Sequence, residues 1–324
     1  MMIDPEEKGT GSAMFFVASL HRSGYPLPEG GSGKLVEALA ACLHDMGGTI
    51  RTSSRVTSIK VSGNEVKSVV LFSGEEIEAE KGVISSTHPK DLFLSMLKPE
   101  DVSPDIIQKV KRIKPGTFSA INQVFALKEA PKFKYGEKAA EAFFVEINPI
   151  EQEYLAIFDG FKRGKYSIKI PLMLTPSIFD PSRAPAGNHV FGIYHYEPYH
   201  LEGGAARWDE VKQTVADEIL DYASTFYTNL NDSNILGRWV ATPLDIERIN
   251  PSMKDGDIGH IGQFMTQMYS NRPIAGYGQY KTPISKLYLC GAGTHPGTGV
   301  SGGGRATAHV VLEDYGINLK KLVK

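Results

Sequence analysis

The sequence predicts an α/β fold in two separated segments, interrupted by an α+β region built on a mostly antiparallel sheet. Three stretches carry that prediction. Near the C-terminus, Leu287, Leu289 and Cys290 make a short apolar strand, a glycine-rich turn follows, and Ala306, His309, Val310 and Glu313 then fall at helical spacing. Between Arg55 and Ala79, three alternating runs separated by Ser62-Gly-Asn64 and Ser73-Gly74 make an antiparallel meander. Residues 90–281 instead carry several alternating strands and one long amphipathic helix, the pattern of a sheet that lays one face on a core.

From the N-terminus, a polar start precedes Ala13-Met-Phe-Phe-Val-Ala-Ser-Leu20, read as a buried segment whose period does not separate strand from helix. Gly24-Tyr-Pro-Leu-Pro-Glu-Gly30-Gly31-Ser32-Gly33 opens a helix on which Leu35, Ala38, Leu39, Cys42, Leu43 and Met46 share one face. Ser32 suits its N-cap and Gly47-Gly48 its end. It is not a phosphate-binding P-loop, because Leu35 follows Lys34. After the meander, Val83-Ile-Ser-Ser-Thr-His-Pro89 is an apolar strand ending in small polar residues. Ligands sit at such edges of open α/β sheets, although a helix cap at Thr87 explains the residues equally well.

Further on, Asp91 to Leu97 and Ser103 to Lys114 read as helices, and Phe118 to Leu127, Ala142 to Ile147, Tyr166 to Leu174 and Val190 to Tyr196 as strands. Arg207 to Asn229 is the long helix, with Trp208, Val211, Val215, Ile219, Tyr222 and Phe226 on its apolar stripe. Residues 24–89 and 282–324 therefore form one domain in two pieces. Residues 1–23 and 90–281 form the other, with a sheet face turned to a cavity.

Composition narrows the partners. The 324 residues are 41% hydrophobic and 22% charged, a soluble globular mixture. Thirty-five basic against 37 acidic residues leave no excess to neutralise a phosphate backbone, so no nucleic acid is expected. Cys42 and Cys290 are too far apart for a redox pair or a zinc set, and the nine histidines are scattered, so no metal is expected. Asp4, Glu6 and Glu7 argue against a signal peptide, and the longest apolar run is shorter than a membrane span. The expected location is the cytoplasm, with no transmembrane span.

The chemistry sits in the glycine turn. From Gly291 to Gly304 every residue except His295 and Val300 is Gly, Ala, Ser, Thr or Pro. A stretch this poor in side chains lets a ligand approach the main chain, and the helix that follows offers free N–H groups and positive potential to an anion or strong acceptor. Gly297-Thr-Gly299-Val-Ser-Gly302 is a literal G-x-G-x-x-G. It lacks the following strand and acidic residue of a dinucleotide fold, and so is not read as its first turn. His88 and His295 are expected to be hydrogen-bonding structural histidines rather than proton carriers. No catalytic residue is assigned.

Together, Pro28-Glu-Gly30-Gly31, the Gly48-to-Val56 entry into the meander, Val83 to Pro89, and Leu287-Tyr-Leu-Cys-Gly-Ala-Gly-Thr-His-Pro-Gly-x-Gly-Val-Ser-Gly302 resemble the phytoene-dehydrogenase-related flavoproteins. These include the pyridine nucleotide-disulfide oxidoreductase domain-containing type, within the amine-oxidase-like FAD group. The resemblance implies a discontinuous, partial Rossmann-like FAD-binding domain with an inserted substrate domain. It places Gly30 and Gly31 near the flavin, Val56 at the adenine, and Gly291, Ala292, Gly293 and Thr294 along the ribityl-pyrophosphate. Gly299, Val300, Ser301 and Gly302 would lie at the flavin's pyrimidine edge, where backbone N–H groups meet the negative charge of a reduced flavin.

Relatives of this kind begin with a strand, a G-x-G-x-x-G turn and a helix, which residues 1–60 do not supply. The chain is therefore expected to match the C-terminal portion of the pattern. The missing nucleotide-binding piece is expected from a separately encoded subunit or a homo-oligomer. The implied function is an FAD-dependent desaturase- or dehydrogenase-like oxidoreductase acting on an apolar, polyene- or lipid-like small molecule. The alternatives are a non-catalytic ligand- or partner-binding relative without FAD, and a redox-neutral FAD isomerase.

Overall fold

A computed structural model describes residues 2–24, 26–136, 142–297 and 302–318. Its largest element is a five-stranded antiparallel sheet in the order β6-β7-β8-β5-β9: β5 is Ser119–Leu127, β6 Phe144–Glu146, β7 Pro171–Leu174, β8 His189–Glu197 and β9 Ile235–Ala241. Alternation along β5 and β8 places Ile121, Phe125, Leu127, Phe191 and Ile193 on one face. There they pack against Trp208, Val215 and Ile219 of the helix Arg207–Ser224. The helical stripe read from the sequence is thus the lid of this core.

The other face is covered at one end, where Tyr196 packs with Phe118, Phe158 and Phe161, and is open along one row. Register pairs Phe144 with Leu174, Leu174 with Gly192, Gly192 with Val124 and Val124 with Trp239. Directly opposed residues share a face, so these five form one row across all five strands. Phe144 and Trp239 are each 53% exposed.

The smaller part holds the meander, β1 Val56–Ser62, β2 Glu65–Leu71 and β3 Glu76–Glu78, in sequential antiparallel order as expected. Beside it lie β4, Val83–Ser85, and β10, Leu287–Leu289, a parallel pair in register Val83 with Leu287. Ile59, Val66, Leu287 and Leu289 join Leu92, Phe93, Ile106 and Val110 in a second core.

Several expectations are corrected. The run Ala13 to Leu20 is a helix, Ala13–Ser23, and its described side chains Met14 and Val17 are exposed rather than buried. Ser32 does not cap its helix: the helix is Ser32–Asp45, and Gly31 occupies the cap at φ 96°. The helix ends at the expected glycines, where Gly47 N–H donates to the His44 carbonyl and Gly48 N–H to that of Leu43, which satisfies two terminal acceptors. None of its residues is buried, so its apolar face is uncovered. The helices Glu151–Lys162 and Pro243–Ile249 and the strand β9 carry no sequence-based expectation.

Candidate functional site

The candidate site forms where β4 and β10 end side by side. Val83 N–H donates to the Lys286 carbonyl and Cys290 N–H to that of Ser85, so the loops 86–89 and 291–294 leave the pair together. They touch. A Cβ on Gly291 would stand 3.2 Å from Ser86 Cβ, and one on Gly293 would stand 3.3 Å from Pro89 Cδ. Gly291 also has φ 81°, a conformation glycine reaches without a Cβ penalty.

The polarity of this loop is set by Arg272, which is fully buried. Its Nη2 donates to the carbonyls of Ala292 and Gly259, each at 2.7 Å, its Nη1 to that of Ile261 at 3.0 Å, and its Nε to those of Ala292 and Thr294 at 3.2 Å. Gly291 O accepts from Thr294 N–H at 3.0 Å and from Thr294 Oγ1 at 2.8 Å. The acceptors therefore point into the protein. Among the described residues, none accepts from the N–H groups of Gly291, Ala292 or Gly293. A tight turn with inward carbonyls and free amides presents donors to a ligand. Burial pulls the Arg272 guanidinium down to about 10, which leaves it charged at neutral pH. Asp257, also buried, accepts from Gly116 and Gly259 N–H and partly balances that charge.

Histidines line the same region. His88 caps the turn that follows β4: its Nδ1 accepts from Lys90 N–H at 3.0 Å, so Nε2 carries the proton and donates to the His260 carbonyl at 2.8 Å. Burial depresses its pKa to about 3, so it is a neutral structural group. This cap is His88, not Thr87. His295 has a buried Nδ1 without a protein partner among the described residues, and its carbonyl accepts from Tyr280 Oη at 3.0 Å.

Gly291, Ala292, Gly293 and Thr294 are thus brought together as one loop. Gly302 caps the last helix, Gly303–Asp314, with no side-chain bond to its first turn, and Thr307 Oγ1 ties that helix to Leu289 O. Gly299, Val300 and Ser301 lie outside the described residues. No hydrogen bond among the described residues joins Gly30, Gly31 or Val56 to the loop. Gly30 N–H donates to Asp180 Oδ2 at 2.8 Å, and Arg183 reaches from Asp180 to the Pro28 carbonyl, so the 28–31 turn is held by the inserted region. Val56 is half-buried at the start of β1, paired with Leu71. Sequence reasoning missed Arg272 and His260; neither lies in a motif, and only the tertiary contacts mark them.

Comparison with known proteins fits this geometry. A family model described as flavin-containing amine oxidoreductase matches residues 3–234. The chain is 31% identical over 97% of its length to pyridine nucleotide-disulfide oxidoreductase domain-containing protein 2 of Rattus norvegicus, covering 56% of that protein. It is 27% identical over 94% of its length to the phytoene desaturase (lycopene-forming) of Pseudescherichia vulneris, covering 60% of it. The chain therefore spans little more than half the length of these curated relatives. An oxidoreductase structure from Methanosarcina mazei shares the fold with a TM-score of 0.58 at 15% identity, covering 94% of this chain and 59% of that one.

FAD is the cofactor of the family, and the glycine loop fits it: inward carbonyls, a buried cation behind them and, among the described residues, no acceptor on the amides of Gly291, Ala292 and Gly293. No helix among the described residues is long and apolar enough to cross a membrane.

Proposed function

Because the chain belongs to the flavin-containing amine oxidoreductase family, we propose that it forms the substrate-facing and C-terminal part of an FAD-dependent dehydrogenase or desaturase for an apolar, polyene- or lipid-like substrate. The observation that carries this reading is the Gly291–Thr294 loop: Arg272 fastens its Ala292 and Thr294 carbonyls inward, while among the described residues none accepts from the amides of Gly291, Ala292 and Gly293. When bound, FAD supplies the acceptor for the hydride removed as a carbon–carbon double bond forms and a proton leaves the substrate.

The chain's own residues have three tasks in this reading. Amides of Gly291, Ala292 and Gly293 bind polar oxygens of the cofactor. The N-terminus of the helix Gly303–Asp314 opposes the negative charge that reduction brings, with main-chain dipoles rather than a titrating side chain. The row Phe144, Leu174, Gly192, Val124 and Trp239 is the apolar wall on which the substrate lies and from which water is excluded.

The Rossmann-like part is completed, in this proposal, by a nucleotide-binding βαβ unit added along β4, whether on the same polypeptide or a separate one. Two features favour that edge. The outer side of β10 already pairs with residues 280–282, through Leu289 N–H to Tyr280 O and Thr282 N–H to Leu287 O. On the outer side of β4, Ile84 turns its amide and carbonyl away from β10 and is 52% exposed. Val36 and Leu39 of the uncovered helix and Met46 at its C-cap, each at least 60% exposed, offer the apolar surface such a unit needs.

One observation favours the second reading, a relative that binds a partner without FAD. The Pro28–Gly31 turn is bonded to Asp180 and Arg183 rather than to the glycine loop. The deciding experiment is to refold the chain with excess FAD, alone and with the remaining portion of a relative supplied in trans, and record the visible spectrum. A stoichiometric flavin band that substrate bleaches anaerobically is expected. No band under either condition means the partner-binding reading is correct.

A further inference from the structure

His260 is held in a conformation that only its surroundings sustain. Its φ is 63°, in the left-handed region that a histidine rarely adopts. Four bonds impose it. His260 N–H donates to the Asp257 carbonyl at 2.9 Å, its own carbonyl accepts from His88 Nε2 at 2.8 Å, and the flanking carbonyls of Gly259 and Ile261 accept from Arg272. Strain fixed so thoroughly at a ligand loop is the pattern of a functional position.

The side chain shows what the strain achieves. His260 is 7% exposed, yet its Nδ1 is buried with no hydrogen-bond partner among the described residues. It faces the glycine loop: a Cβ on Gly293 would lie 3.9 Å from Nδ1. A buried ring nitrogen left unpaired costs about 1–3 kcal/mol, and here the missing partner belongs beside Gly293. We infer that His260 is a cofactor-contacting residue, its Nδ1 completing a hydrogen bond to a hydroxyl or phosphate oxygen of the flavin nucleotide that lies against Gly291–Gly293. Burial and the Arg272 charge lower the His260 pKa, so the ring acts as a neutral partner and transfers no proton.

This inference rests on the FAD reading above, and the experiment separates the two. Binding of FAD, riboflavin and ADP is titrated to wild-type protein, His260→Leu and His260→Asn, with the complementing fragment present, alongside thermal unfolding of each. Asparagine tolerates positive φ and carries a polar atom near the Nδ1 position. His260→Leu is expected to weaken FAD about tenfold, the worth of one hydrogen bond, while His260→Asn stays within about threefold. Equal weakening of FAD and riboflavin assigns the bond to a ribityl hydroxyl, and weakening of FAD and ADP alone assigns it to the ADP half. Unchanged FAD affinity in His260→Leu, or equal loss in both variants tracking a loss of thermal stability, overturns the inference while leaving the FAD reading intact. Failure of the wild type to bind any of the three overturns both.

Discussion

Arg272 Nη2 stands 2.7 Å from the carbonyl oxygen of Ala292, and through that contact a fully buried cation dictates which way the glycine loop presents its main chain. The geometry has direct consequences for stability, binding and pH response.

Replacing Arg272 with Met leaves the carbonyls of Gly259, Ile261, Ala292 and Thr294 without their donor. Each buried orphan costs about 1–3 kcal/mol, so a loss of about 3 kcal/mol or more is expected in urea unfolding. Arg272→Lys recovers only part of it, since an ammonium does not span four acceptors in the plane of a guanidinium.

Gly291→Ala places a methyl 3.2 Å from Ser86 Cβ at φ 81°. It is expected to cost about 1–2 kcal/mol and to weaken flavin binding, because the loop reopens to relieve the clash. Paired unfolding and flavin titrations check both effects.

His88 gives a pH signature. Its folded pKa is about 3 against an ordinary 6.5, so the unfolded chain takes up a proton first as pH falls. Its contribution is full above pH 6.5 and is lost progressively between 6.5 and 3, by about 1.4 kcal/mol per pH unit. His88→Asn keeps a capping oxygen and removes the titration. Its unfolding free energy is expected to fall with pH by one proton less than that of the wild type across this window, and identical slopes would falsify the assignment.

Ile84→Pro removes the amide that faces away from β10 and leaves the β4–β10 bonds in place. The isolated chain is expected to remain folded, while affinity for the complementing fragment drops about tenfold or more for the lost strand pairing. Calorimetric titration of the fragment against both proteins measures it.

Trp239 reports on the sheet face. The chain has two tryptophans, and Trp208 is fully buried. In a Trp208→Phe background, an apolar polyene is expected to quench and blue-shift Trp239 emission. Trp239→Ala is expected to cost under about 1 kcal/mol of stability, since the ring is 53% exposed.

Much was legible in the residues. The meander, the strands at Val83 and Leu287 and the stripe of the helix Arg207–Ser224 follow local periodicity, which a single sequence records directly. So does the turn that begins at Gly291, because absent side chains are visible as composition. The helix Glu151–Lys162 was missed since its apolar residues, Tyr154, Phe158 and Phe161, join Phe118 and Ile170 from elsewhere in a small core that only the fold assembles.

The sequence by itself therefore determined the family and those elements whose own residues carry a period or a turn, since period, turn chemistry and motif spacing are properties of neighbouring residues. Only the tertiary structure decided that Arg272 fastens the loop, that His260 is strained toward Gly293, and that Ile84 and the Phe144-to-Trp239 row are left open. Hydrogen bonds and burial between residues far apart in the chain depend on where the folded backbone brings them, and no local pattern encodes that meeting.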